Sequence, residues 1–186
     1  MRARVLLAVL AVAAAAQLWV PASLILRSER TLAAGTAWRF RTAPVDPADA
    51  FRGRYVALAF ADHAVACADA DRFRKGRRAY AVLGLDSAGL AVATALVKER
   101  PRTGDFVRVK VTYASAGSVS FDYRFDRLFL EEDMAPTAER LYRERNISGA
   151  RDSYLVVRVR NGFAVIEDLF IGGLPVRESV RRSGVR

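Results

Sequence analysis

The chain has 186 residues, with 30 Lys+Arg against 20 Asp+Glu, a formal net charge of +10 and an apolar fraction of 52%. That composition excludes wholesale disorder, and the length suits one domain with one core plus an appendage. A single cysteine, Cys67, and a single histidine, His63, exclude an internal disulfide, a cysteine-based zinc cluster and a multi-histidine metal site.

The first element is apolar. The 22 positions from Val5 to Leu26 carry no charge, with Arg2 and Arg4 before them and Arg27, Glu29 and Arg30 after. As a helix they span about 33 Å, enough for a hydrocarbon core, and Trp19 suits an interfacial anchor. Two readings compete. One is an uncleaved anchor over 5–26, with residues 1–4 cytoplasmic and the rest outside. The other is a signal peptide cleaved after the small residues Ala13 to Ala16. Cleavage there would leave Leu18, Trp19, Val20, Leu24, Ile25 and Leu26 on a new terminus, which favours the anchor. The expected location is therefore the inner membrane, single-pass, with the following domain in the periplasm. Every acid and all but two of the arginines follow Leu26, so residues 27–186 carry +8. Such a surface suits an anionic lipid or wall polymer. Its scatter among acids suits an ordinary solvated surface better.

Beyond the anchor the chain reads as strands separated by turns. Gly35 to Thr42 alternates Trp38 and Phe40 with Arg39 and Arg41, and Pro44-Val45-Asp46-Pro47 ends it. Tyr55 to Phe60 follows Gly53. Arg78 to Leu85 and Leu90 to Glu99 are joined by Asp86-Ser87-Ala88-Gly89. Phe106 to Tyr113 places Val107, Val109 and Val111 on one face, and Val119 to Phe125 comes after a Gly117 turn. A helix is predicted from Pro136 to about Asn146, with Ala138, Leu141 and Tyr142 on one face and Glu131, Glu132 and Asp133 near its positive end. Asn161-Gly162 between Tyr154–Arg160 and Phe163–Ile171 is the best hairpin signal in the chain. The tail from Arg177 to Arg186 is polar and is expected to fray. The fold class expected is mainly β with one helix, an antiparallel β-meander sheet or small open barrel spanning residues 27–176, plus the N-terminal transmembrane helix.

The stretch from Pro44 to Phe60, PVDPADAFRGRYVALAF, resembles the signature of the GDYXXLXY family, Gly-Asp-Tyr-x-x-Leu-x-Tyr preceded by Pro-Val-Asp-Pro-x-Asp and Arg-Gly. Gly53, Tyr55 and Leu58 match, whereas Arg54 replaces the Asp and Phe60 the final Tyr. Arg127-Leu128-Phe129-Leu130-Glu131-Glu132 before the helix, and the ending from Ala164 to Val176, fit the same family. The resemblance implies a bacterial membrane-anchored protein whose relatives are encoded beside, or fused to, multi-span membrane proteins. It implies no activity.

The motif also has an architectural account. Asp46 and Asp49 can form side-chain turns around Pro44 and Pro47, Gly53 permits close approach, and Leu58 and Phe60 face a core. Arg52 can pair with either carboxylate, or with Glu132 if the later segment lies near. The functional account is a polar constellation of Asp46, Asp49, Arg52, Gly53, Tyr55, Arg127 and Glu132 that takes a ligand or partner. Arg54 counts against a catalytic or metal role for the family's Asp. A Ser/Lys hydrolase is excluded: Asp133-Met134-Ala135-Pro136 has Asp where a nucleophilic serine should stand. Carboxylate pairs among Asp46, Asp49, Glu131, Glu132 and Asp133 leave a less favoured hydrolase alternative. No cofactor, metal or nucleic-acid partner is expected. The favoured reading is an accessory module for an integral membrane partner, and the runner-up is a binding domain for an anionic envelope ligand.

Overall fold

The computed structural model of the chain describes residues 2–43, 55–147 and 152–184. Helix α1 (Arg2–Ala34) contains the whole apolar segment and continues about two turns beyond Leu26. Its large apolar residues are exposed all round, Leu18 at 71% for example, and no surface of the domain covers its most hydrophobic window, of mean hydropathy 2.1.

The helix then becomes a strand across one residue. Thr31 is buried, and its hydroxyl donates to the Arg27 carbonyl at 2.8 Å. The Gly35 N–H donates to the Thr31 carbonyl at 2.8 Å. A Cβ on Gly35 would stand 2.5 Å from that carbonyl and 3.1 Å from the carbonyl of Val159. Only glycine allows so close an approach. Strand β1 (Thr36–Ala43) starts at once.

The remaining strands are β2 (Tyr55–Ala57), β3 (Ala59–Phe60), β4 (Ala64–Ala66), β5 (Arg78–Leu85), β6 (Ala91–Val97), β7 (Phe106–Ser115), β8 (Ser118–Tyr123) and β9 (Arg127–Phe129). Helix α2 (Ala135–Ile147), strands β10 (Tyr154–Arg160), β11 (Phe163–Ile171) and β12 (Leu174–Pro175) and helix α3 (Val176–Arg182) complete the chain. The main sheet runs β12-β11-β10-β1-β6-β5-β7-β8-β4, with β3 added to the end of β1 and a separate β2–β9 ribbon. β4 approaches β6, so that half of the sheet curls on itself. One buried face gathers Phe40, Val109, Val111, Phe121, Leu155 and Val157.

The expected strand and hairpin signals place most of this. β5, β10 and β11 take the predicted bounds, and Asn161 (φ 52°) and Gly162 (φ 77°) form the left-handed turn. In the four-residue turn, Asp86 accepts from the Ala88 and Leu90 N–H groups, both at 2.8 Å. These bonds, with the nearby Arg41 guanidinium, hold its carboxyl below the usual range.

Three features differ from the expectation. First, the order is not a pure meander: β1 sits inside the sheet, antiparallel to β10 and bridged in parallel to β6 at Phe40 and Ala91. Long-range pairing chose its neighbours, and no local signal encodes that. Second, the run from Tyr55 to Phe60 splits at Leu58, whose N–H turns to the Asp126 carbonyl at 2.9 Å. Its first half pairs with β9 and its second with β1. Third, the C-terminal tail forms α3, because Val176 and Val180, four residues apart, both bury one face beside α2 and β11.

Two predictions follow from the joint. Gly35→Ala is expected to lower unfolding free energy by about 1–3 kcal/mol, read by chemical denaturation, because the added carbon overpacks backbone. Arg158 reaches the Gly35 carbonyl at 3.3 Å and bonds Glu167 with two nitrogens. Hydrogen bonds from Arg158 hold the Glu167 carboxyl below its usual range against a smaller opposing effect of burial. That contribution is present above the ordinary glutamate pKa of about 4.3 and is lost as pH falls through the lower folded value. The melting-temperature gap between wild type and Arg158→Ala should therefore be constant near neutrality and shrink below about pH 4.

Candidate functional site

The motif segments converge through the backbone. β2 pairs antiparallel with β9, setting Tyr55 opposite Phe129, Val56 opposite Leu128 and Ala57 opposite Arg127. The later segment does lie near the first motif. Tyr55 and Arg127 are thereby brought to one ribbon. Glu132 follows it, exposed in the turn before α2. Asp46, Asp49, Arg52, Gly53, Pro44 and Pro47 lie outside the described residues, as does Arg54.

The ends of that segment are nevertheless fixed. The Tyr142 hydroxyl of α2 donates to the Ala43 carbonyl at 2.9 Å, where β1 ends. α2 also packs on β2. Ala138 and Tyr142 are buried, as their spacing requires, and Glu139 pairs with Arg143 at 2.8 Å on the outer side. Of the acids before α2, Glu131 is tied to Arg177 of α3 at 2.8 Å, and its carbonyl accepts from the Met134 and Ala135 N–H groups. Its surroundings are those of a structural group.

Val56, Leu58 and Phe60 are buried, as the alternation requires. Phe60 joins Phe40, Tyr123 and Phe125 in an aromatic cluster, with ring centroids 4.9 Å apart for Phe60–Tyr123 and 5.1 Å for Phe40–Phe125. Edge-to-face contacts dominate it. One polar group supports the cluster. Asp62 accepts from the Tyr123 hydroxyl at 3.2 Å and from the Ala93 N–H of β6. Burial, then the neighbouring Asp62 charge, pushes the Tyr123 hydroxyl pKa far upward, so it stays a donor.

Leu58 and Phe60 also line a cleft of about 440 Å³ with Phe121 and Tyr123, and His63, Asp122 and Asp126 add further charged or titratable groups to it. Reading the sequence singled out none of the last three for this place. They come together only because β3 and β8 meet at the same end. No three His, Cys, Asp or Glu side chains among the described residues converge on one metal position.

Two further hollows are cationic. Arg78, Arg108 and Arg124 line one of about 320 Å³ beside Phe125 and Phe163. Another of about 450 Å³ lies between α1 and the β10–β11 turn. The scattered arginines of the sequence are thus partly gathered by the fold.

The Asp62 link gives a direct test. Asp62→Ala should cost about 2–3 kcal/mol of stability, because it leaves a buried hydroxyl and an N–H without their charged acceptor. Tyr123→Phe, which removes one bond and keeps the ring, should cost about 1 kcal/mol. Equal stability of Asp62→Ala and wild type in urea denaturation would contradict this role.

No curated protein and no solved structure matches the chain. A family model does, that of the GDYXXLXY protein, over residues 17–169. That span takes in the end of α1, the joint at Gly35, the β2–β9 ribbon and nearly all of β11. The chain belongs to the GDYXXLXY family.

Proposed function

We propose that this protein is a single-pass membrane accessory module, anchored by α1, whose β domain lies on the extracytoplasmic side and docks on an integral membrane partner. The observation that carries the reading is the form of α1. Its apolar residues are exposed around the whole circumference, and water is a poor solvent for such a surface. The short basic N-terminus, with Arg2 and Arg4, favours a cytoplasmic start.

The β2–β9 ribbon is the docking face. It stands apart from the main sheet and carries Phe129 at 69% exposure, with Arg127, Glu131 and Glu132 on the same segment. An exposed aromatic residue with both charge signs on its own segment suits a protein surface with complementary charges.

A second reading has its own support. The hollow lined by Arg78, Arg108 and Arg124 suits an anionic envelope ligand such as a wall polymer, because three guanidiniums there gain from an anion.

Alkaline carbonate washing of membranes should leave the full chain in the pellet, and a soluble product shortened by about the first two dozen residues would overturn the anchor. In detergent pull-downs, Arg127→Glu with Glu132→Lys should lower recovery of a multi-span partner at least about tenfold, with folding of the variant checked by circular dichroism. Equal recovery with the reversed charges would remove the ribbon as the docking face.

A further inference from the structure

The hollow between α1 and the β10–β11 turn has a built-in gradient of polarity. On α1 it is lined by Trp19, Ser23 and Leu26 toward the apolar end and by Arg27 and Arg30 toward the domain. At 1.5 Å rise per residue, Trp19 lies about 10 Å deeper along the helix than Leu26, and Arg30 about 6 Å beyond it. The turn closes the other side with Arg160 and Asn161. A domain loop therefore reaches alongside the segment that the anchor reading places in the bilayer.

The charges in this hollow are all of one sign. The guanidinium of Arg27 stacks over the Phe163 ring at 4.3 Å, which fixes its plane. Arg30 and Arg160 have no ion-pair partner among the described residues. Glu29, the nearest acid on the helix, is turned about 100° away from Arg30 and does not line the hollow. Three guanidiniums around about 450 Å³ repel one another, and a bound anion relieves that repulsion. The site offers cations at headgroup height and Trp19 with Leu26 at acyl height. A soluble anion uses only the first half of that arrangement. An anionic phospholipid uses both.

We propose that this hollow binds one anionic phospholipid, its phosphate held by Arg27, Arg30 and Arg160 and its upper acyl chain lying along Trp19 and Leu26. The inference rests on the anchor reading of α1 and assigns that anchor a specific lipid. The short passage from helix to strand at Gly35, with its bond to the Thr31 carbonyl, sets the two walls of the hollow side by side.

The test uses the full chain in nanodiscs of phosphatidylcholine with and without phosphatidylglycerol, with retained lipid counted by native mass spectrometry. Wild type should retain one phosphatidylglycerol in preference to phosphatidylcholine. Arg30→Gln with Arg160→Gln should weaken retention at least about tenfold, since each basic group near a lipid surface contributes a comparable share. Both side chains are exposed, so the melting temperature should not move. Arg30→Lys with Arg160→Lys keeps the charge and should keep most of the retention. Equal retention of the two lipids by wild type, or equal phosphatidylglycerol retention by the glutamine variant, would overturn the proposal. Displacement of the lipid by millimolar inorganic phosphate would overturn it too, in favour of a soluble anion. Carbonate extraction of the same preparations separates the two readings. A chain that stays in the membrane but shows no lipid preference refutes the site alone, whereas a chain that washes off refutes the anchor and the site together.

Discussion

The structure depends on one joint. A helix of 33 residues passes into an interior strand of the sheet with only Gly35 between them. The close approach of Gly35 to the Thr31 carbonyl and to Val159 leaves no room for a side chain, and Arg158 ties the Gly35 carbonyl to β10 while holding Glu167 of β11. Arg158 thus joins three elements with one guanidinium, whose several donors in a fixed plane suit that task better than an ammonium would. Because β1 is flanked by β10 and β6, turning the helix would disturb pairing on both sides. Helix and strand are joined by Gly35 alone, with no intervening loop.

Among the described residues of the family motif, Val56, Leu58 and Phe60 are architectural. Splitting at Leu58 lets one short segment serve two sheets, with Val56 facing inward from the β2–β9 ribbon and Phe60 facing inward from β1. A continuous strand could not pair with both. The aromatic cluster at Phe60 then needs an acceptor for the Tyr123 hydroxyl, and Asp62 supplies it while also holding β6. A buried hydroxyl without an acceptor costs more than the bond itself gains, so the acid is retained next to an apolar core. Phe60 standing where the family has Tyr is consistent with this: the position packs a ring, and a neighbouring Tyr123 carries the hydroxyl link.

Much of the fold was legible because its strands are long enough to show a period. β5, β10 and β11 run 7 to 9 residues, and their alternation and turn residues define them. β4, β9 and β12 have two or three residues each, too few to show any period, and they exist only because a longer strand offers them an edge. α3 was legible in principle from Val176 and Val180, but the surrounding charges Arg177, Glu178, Arg181 and Arg182 masked that pair. The candidate site was less legible than the fold. The nearness of Tyr55 to Arg127 was foreseen only as a condition, since 72 residues of chain separate them. His63, Asp122 and Asp126 carry no local signature that sets them apart from other surface polar residues. The arginine-lined hollows are assembled from segments far apart in the chain, α1 with the β10–β11 turn in one and β5, β7 and β11 in the other, and a scattered charge pattern conceals such gathering.

If α1 spans a bilayer, as proposed, the short joint and the uneven charge together set what the domain presents to it. In that proposed arrangement the β10–β11 turn, which lies beside the last turns of the apolar segment, sets Arg160 and Asn161 at the headgroup layer. The charge of +8 on residues 27–186 therefore counts most where it is nearest to phosphate, because exposed charges are screened beyond about 8–10 Å at physiological salt. In the same arrangement arginines farther up the domain contribute to solubility, while those around the turn are the ones that would act on the bilayer. The β2–β9 ribbon lies beside α2, whereas α1 packs on β10 and β11. The two proposed surfaces, the hollow beside α1 and the β2–β9 ribbon, are thus built from different elements of the domain.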